Sequence, residues 1–174
     1  MQPTRVFIHG LESSGQGTKG LFFRERYPDT IVEDYAGSFA ERMKKLEILL
    51  EGKNNLILVG SSYGGLMAAA FACQNMGRVK KLVLLAPALH LEPYEPYRSQ
   101  RLSMPIVIFH GLQDDVVPLI SVKGIAERLY ENLVFSAVDD DHQLRNTFAT
   151  FDWNALLEVP AASGSSKLRP VGTP

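Results

Sequence analysis

An apolar strand that runs directly into a Gly-x-Ser-x-Gly turn leaves a chain few ways to fold, and Leu56-Ile-Leu-Val-Gly-Ser-Ser-Tyr-Gly-Gly65 is such a stretch. A serine is exposed for attack only where a strand turns sharply into a helix. That turn brings backbone so close that side chains at Gly60 and Gly64 would collide with it. The spacing selects Ser62 over its neighbour Ser61. The following Leu66-Met-Ala-Ala-Ala-Phe-Ala-Cys73 is rich in helix formers, so Ser62 is expected near a helix N-terminus, where backbone N–H groups favour negative charge. By itself the five-residue pattern is equally a plain turn of an α/β domain, and the rest of the chain has to decide.

Alternation of strand and helix patterns continues on both sides. Arg5-Val-Phe-Ile-His9 reads as a strand, residues 18–26 as a helix and Thr30-Ile-Val32 as a second strand. Residues 39–50 carry apolar side chains at helical spacing (Phe39, Met43, Leu46, Leu49, Leu50), followed by Gly52 as a stop. Lys81-Leu-Val-Leu-Leu-Ala86 and Pro105-Ile-Val-Ile-Phe-His110 are near-continuous apolar runs, expected of parallel strands covered on both faces. Residues 122–130 then pattern as a helix, 133–138 as a last strand and 144–157 as a weakly amphipathic closing helix. The expected fold is α/β: a compact, doubly wound, mostly parallel sheet with helices on both faces and its chemistry at the carboxyl ends of the strands. Residues 1–159 are expected to form one domain. Residues 160–174, Pro-Ala-Ala-Ser-Gly-Ser-Ser-Lys-Leu-Arg-Pro-Val-Gly-Thr-Pro, lack periodicity and read as a flexible tail or an expression scar.

Composition narrows the class. A chain of 174 residues with 45% apolar and 21% charged side chains has enough core to fold without disulfides or metals. Its formal net charge of −1 argues against a nucleic-acid partner, and the basic clusters at residues 42–45 and 78–81 read as solvated helix faces and ends. The one cysteine, Cys73, falls in register with Leu66, Ala69 and Met76 and is expected to be a buried core thiol. No apolar run reaches the length of about 18 residues that a membrane span needs, and the start of the chain lacks the pattern of a secretory signal, so a cytoplasmic protein is expected. The histidines and acidic residues form no compact ligand motif such as His-Glu-x-x-His, so neither metal nor cofactor is expected.

A serine needs a base, and the base needs an orienting group. His142 sits in the polar Asp139-Asp-Asp-His142-Gln, where core packing would not explain an imidazole. Asp114 lies in His110-Gly-Leu-Gln-Asp114-Asp-Val-Val-Pro118, directly after an apolar strand. Ser62, Asp114 and His142 each follow a separate predicted strand, in the order Ser, Asp, His. Asp115 is the alternative acid if that strand ends one residue later. Ser13 and Ser14 read as capping and loop residues, His9 and His110 as loop-fixing side chains, and the acidic run 139–141 as a solvated loop.

In four segments the chain resembles the α/β-hydrolase superfamily, from Arg5 to about Leu157: His9-Gly10-Leu11, the elbow at residues 60–64, residues 110–118, and His142. The resemblance is to a small, lidless, bacterial-type serine esterase. It implies Ser62 as nucleophile, His142 as general base and acid, and Asp114 as the residue holding the His142 tautomer, with Leu11 and Tyr63 donating backbone N–H groups to an oxyanion hole. Gly10 would let substrate approach the backbone. Only residues 87–105 are available where many relatives insert a cap, which is too short for a lid domain. With Leu89, Leu91, Tyr94, Tyr97 and Leu102 among them, they are expected to form a stiff flap beside Ser62, with Leu89, Tyr94 and Tyr97 lining the pocket. The implied activity is hydrolysis of short-chain or accessible carboxylic esters through an acyl-enzyme intermediate. A thioesterase or peptidase on the same triad, or a binding protein on a hydrolase fold, stays open.

Overall fold

The computed structural model describes residues 2–159; the predicted tail at 160–174 lies outside the described residues. Six strands form one parallel sheet in the order β2-β1-β3-β4-β5-β6: β1 (Thr4–Ile8), β2 (Ile31–Val32), β3 (Leu56–Ser61), β4 (Val79–Leu85), β5 (Leu102–Gly111) and β6 (Tyr130–Val138). Helices α1 (Thr18–Arg26), α2 (Phe39–Leu49), α3 (Tyr63–Gln74), α4 (Leu119–Leu129) and α5 (Trp153–Leu156) connect or close them. The doubly wound α/β architecture read from the alternation is the observed one. From β1 the chain steps outward to β2, then crosses back to β3, so the winding reverses between β1 and β3. Open α/β sheets bind ligands at such a reversal.

The register explains why the site residues converge. Ile8 pairs with Gly60, Ser61 with Leu85, Leu85 with Phe109, and Gly111 with Val138, so β1, β3, β4, β5 and β6 end along one edge. The turns that follow leave the sheet side by side. Because strand side chains alternate, Val6, Ile8, Leu58, Leu84 and Ile108 face one layer with α2, α3 and α4, whereas Phe7, Val59, Val83, Leu85 and Phe109 face the other. The second layer is aromatic: Phe23 stacks on Phe7 at 4.9 Å and meets Trp153 edge-on at 4.9 Å, an arrangement the ring quadrupoles favour.

Local chemistry sets the helix starts. Ser38 caps α2, accepting from the Glu41 N–H while Glu41 Oε2 accepts from the Ser38 N–H, which satisfies two otherwise orphaned donors.

Four sequence expectations change. Helix α3 is buried all round from Tyr63 to Cys73 rather than along one stripe; Cys73 is buried as expected, but Met76 is exposed. Residues 144–157 do not form one helix. Leu144, Phe148, Phe151, Trp153, Leu156 and Leu157 pack on the sheet through a 3-10 turn at Phe148–Thr150, an extended Phe151, and α5, which restarts where Asp152 accepts from the Ala155 N–H. The helical spacing of the apolar residues is met without a continuous helix.

Not all of the basic clusters are solvated, either. Arg42 is buried with its Nε donating to Gly37 O, and buried Lys81 donates to Ala155 O and Glu158 O beside the last turn of α5. Lastly, residues 87–105 make no flap. Their 3-10 turn, Glu92–Tyr97, packs on α3, and Tyr94 is wholly buried with its hydroxyl 2.9 Å from that of Tyr130.

Candidate active site

Ser62 occupies the elbow between β3 and α3 with φ 53° and ψ −115°, a conformation that L-residues rarely adopt. The surroundings enforce it. The Ser62 N–H donates to Leu85 O at 2.8 Å, and its carbonyl accepts from Gly65, Leu66 and Ala88. A Cβ on Gly64 would run into the carbonyl oxygens of Ile8 and His9, and one on Gly60 into that of Gly64. The elbow glycines are needed for this close approach, as the motif suggests.

Beside the elbow, the nitrogen Nε2 of His142 lies 3.1 Å from Ser62 Oγ, and its Nδ1 lies 2.8 Å from Asp114 Oδ2. A carboxylate only accepts, so Nδ1–H donates to Asp114, and Nε2 is left to accept from the serine hydroxyl. Asp114 is brought to His142; Asp115 stays exposed. The Asp114 side chain is wholly buried, and its Oδ1 accepts from the N–H groups of Val116 and Val117 at 2.9 and 2.7 Å.

The loop carrying His142 is held by Asp140. This buried carboxylate accepts from the N–H groups of Asp141, Asn146 and Thr147 and from the Thr147 hydroxyl, at 2.8 to 2.9 Å. Burial pushes its pKa up, but the hydrogen bonds from Thr147, Asp141 and Asn146 outweigh burial and hold it below the usual carboxylate value. The acidic run is therefore not a merely solvated loop. Sequence reasoning missed this role because partners up to seven residues away follow no period. Across the cleft, the Lys19 ammonium donates to Gln143 O at 2.6 Å, tying the same loop to α1. Burial lowers the Lys19 pKa, opposed by Asp141 and Asp140.

A cleft of about 420 Å³ opens at Ser62, lined among others by Gly10, Leu11, Glu12, Lys19, Val116 and His142. Gly10 lies against the elbow, where a Cβ would meet Ser62 Cβ at 3.3 Å. His9 is buried, accepting from the Tyr35 N–H on Nε2 and donating from Nδ1 to Gly10 O, and so fixes the loop as expected. Ser14 accepts from the Gln16 N–H within the loop, while α1 starts without a side-chain cap. Three expected pocket residues lie elsewhere. Leu89 and Tyr94 are wholly buried in the core, and Tyr97 packs against that core and accepts from Gln74 Nε2; none of them lines the cleft. Their apolar and aromatic character serves packing on α3. Among the described residues, no cluster of His, Cys, Asp and Glu is arranged to hold a metal ion.

The fold is that of an α/β hydrolase. The chain belongs to the family described as serine aminopeptidase, S33, which matches residues 6–102. No curated protein matches it. Among solved structures, a putative hydrolase from Agrobacterium vitis S4 is similar at 19% identity and TM-score 0.75, over 90% of this chain and 88% of that one. A monoacylglycerol lipase from Paleococcus ferrophilus is similar at 15% identity and TM-score 0.73, over 89% and 95%. Est1E from Butyrivibrio proteoclasticus is similar at 16% identity and TM-score 0.72, over 90% and 86%. At these identities the likeness is one of fold.

Proposed function

We propose that this protein is a serine hydrolase that cleaves small carboxylic esters through an acyl-enzyme, with Ser62 as nucleophile, His142 as base and acid, and Asp114 as the group orienting His142. One observation carries the reading: the continuous chain from Ser62 Oγ to His142 Nε2 at 3.1 Å and from His142 Nδ1 to Asp114 Oδ2 at 2.8 Å. As Oγ attacks the ester carbonyl, Nε2 takes the hydroxyl proton, and the ring becomes an imidazolium beside the Asp114 carboxylate. The tetrahedral oxyanion accepts from the Leu11 and Tyr63 N–H groups. Tyr63 is the first residue of α3, where the N–H has no partner within the helix. The imidazolium returns its proton to the leaving alkoxide. Water, deprotonated by the same nitrogen, then attacks the acyl group and releases the acid and Ser62.

A cleft that works without a cap is supported by the packing of the Glu92–Tyr97 turn on α3. Among the described residues, no helix is long and apolar enough to cross a membrane. Ser62→Ala is expected to lower hydrolysis of a short p-nitrophenyl ester by about 10⁶-fold, the loss typical of a triad that acts as a unit. Turnover equal to wild type refutes the proposal. A fluorophosphonate should label Ser62 in the folded protein; no adduct would favour a binding protein on this fold.

A peptidase is the second reading, favoured by the family's description and by Glu12 on the cleft wall, a carboxylate suited to a substrate's free α-amine. Comparing leucine p-nitroanilide with p-nitrophenyl acetate separates the two. A kcat/KM for the anilide above that for the acetate would replace the ester reading.

A further inference from the structure

His110, read from the sequence as a loop-fixing side chain, has no exposed surface at all. It lies in β5, one residue before the strand ends, with its ring stacked parallel to Phe135 of β6 at 6.2 Å. Its Nε2 is 3.0 Å from Val117 O and 3.2 Å from Asp114 Oδ2. Both neighbours are oxygens that only accept, so Nε2 carries the proton and donates to Val117 O. Nδ1 is buried, and no group among the described residues reaches it. A proton there would be a buried donor without an acceptor, so the ring holds one proton, on Nε2.

This one N–H touches both halves of the Asp114 setting. Val117 O belongs to the turn whose N–H groups hold Asp114 Oδ1, and Oδ2 is the oxygen that accepts from His142. A wholly buried carboxylate has lost its water and depends on such donors. We propose that His110 is a positioning residue, which fixes the Asp114 turn and sets the Nε2–H beside Oδ2 so that the carboxylate stays aimed at His142. This rests on the function proposed above for Ser62, Asp114 and His142. The charged and titratable groups facing His110 are Asp114 and His142, with His90 and its neighbour Arg98 behind. Burial lowers the His110 pKa, against the pull of the Val117 carbonyl and Asp114, which keeps the ring neutral while His142 cycles its proton.

Glutamine and asparagine separate positioning from packing, because a glutamine amide nitrogen falls near Nε2 and an asparagine nitrogen near Nδ1. His110→Asn withdraws the N–H from Val117 O and Oδ2. It is expected to lower kcat for p-nitrophenyl acetate about tenfold, the weight of one ordinary hydrogen bond. KM should stay within about twofold, and the acid limb of the kcat/KM profile should move to higher pH, since a less compensated carboxylate holds the His142 proton harder. His110→Gln should recover most of kcat and the wild-type limb.

The same comparison is made by NMR titration of His142 in a Ser62→Ala background, where the His110→Asn midpoint should lie above the His110→Gln midpoint. That measurement does not depend on hydrolysis. Equal midpoints in a protein whose hydrolysis still requires Ser62 overturn the role of His110 alone; hydrolysis that survives Ser62→Ala overturns the parent reading instead. If His110→Asn does not fold, His110→Gln decides by itself: kcat within about threefold of wild type supports the role, and a loss of tenfold or more overturns it.

Discussion

The turn that carries Ser62 and the loop that carries His142 meet at 3.1 Å, yet they are held in place by different physics. The elbow is fixed by exclusion: Gly60 and Gly64 lie against main-chain oxygens, and the surrounding hydrogen bonds join backbone to backbone. The histidine loop is fixed by attraction, gathered around the Asp140 carboxylate by the N–H groups of Asp141, Asn146 and Thr147. Exclusion tolerates almost no added volume but is indifferent to pH. A carboxylate hub tolerates shape changes better and depends on its charge.

The largest effect that separates the two belongs to Gly64→Ala. Its Cβ has nowhere to go short of moving β1, so the cost should exceed about 4 kcal/mol, and little folded protein should be recovered. Expression followed by circular dichroism checks this; a variant melting like wild type would show that the elbow has slack. Next comes Asp114→Asn, which keeps shape but removes the acceptor that sets the His142 tautomer, and should cost about 10³ to 10⁴ in kcat with the fold intact.

Asp140→Asn should act at an intermediate scale, costing about 1 to 3 kcal/mol at neutral pH because an amide cannot replace the carboxylate toward several donors. The sign with pH follows from the lowered pKa. The folded state binds fewer protons than the unfolded one, so the stabilisation is full above the unfolded carboxylate value of about 4 and is lost as pH falls through the folded value. Melting temperatures of wild type and Asp140→Asn should therefore converge below about pH 4 and separate above it. A constant gap from pH 3 to 7 would deny that the charge matters. The smallest effect is that of Asp115→Ala, an exposed neighbour of Asp114, expected to leave kcat unchanged and stability within about 0.5 kcal/mol. If Asp115→Ala impaired turnover as Asp114→Asn does, the assignment of the acid would fail.

Much of this architecture was legible along the chain. β3, α1 and α2 fall within a residue or so of where their periodicity put them, because each buries a face that repeats with its own backbone geometry. Ser62, Asp114 and His142 were nominated by lying just past apolar strands. The failures share a cause. Residues 144–157 have helical spacing but are pulled onto the aromatic layer by Phe7, Phe23 and Phe109, and that attraction chooses short turns over one helix. Leu89, Tyr94 and Tyr97 look like pocket residues on an isolated loop, yet the core around α3 claims them. Arg42, Lys81 and His110 are polar and were read as solvated or loop-fixing, although each is buried against backbone carbonyls that the strand patterns could not reveal.

By itself the sequence determined the alternation of elements, the parallel character of the sheet and the strained position of Ser62, since all three follow from local volume, branching and the small size of glycine. Only the tertiary structure decided that Asp114 rather than Asp115 meets His142, that Asp140 is a hub, and that His110 backs the carboxylate. The contacts of His142 join groups 28 and 80 residues apart, from His142 to Asp114 and to Ser62. They are set by the register in which β3, β5 and β6 end along one edge, a property of the assembled sheet that no single segment carries.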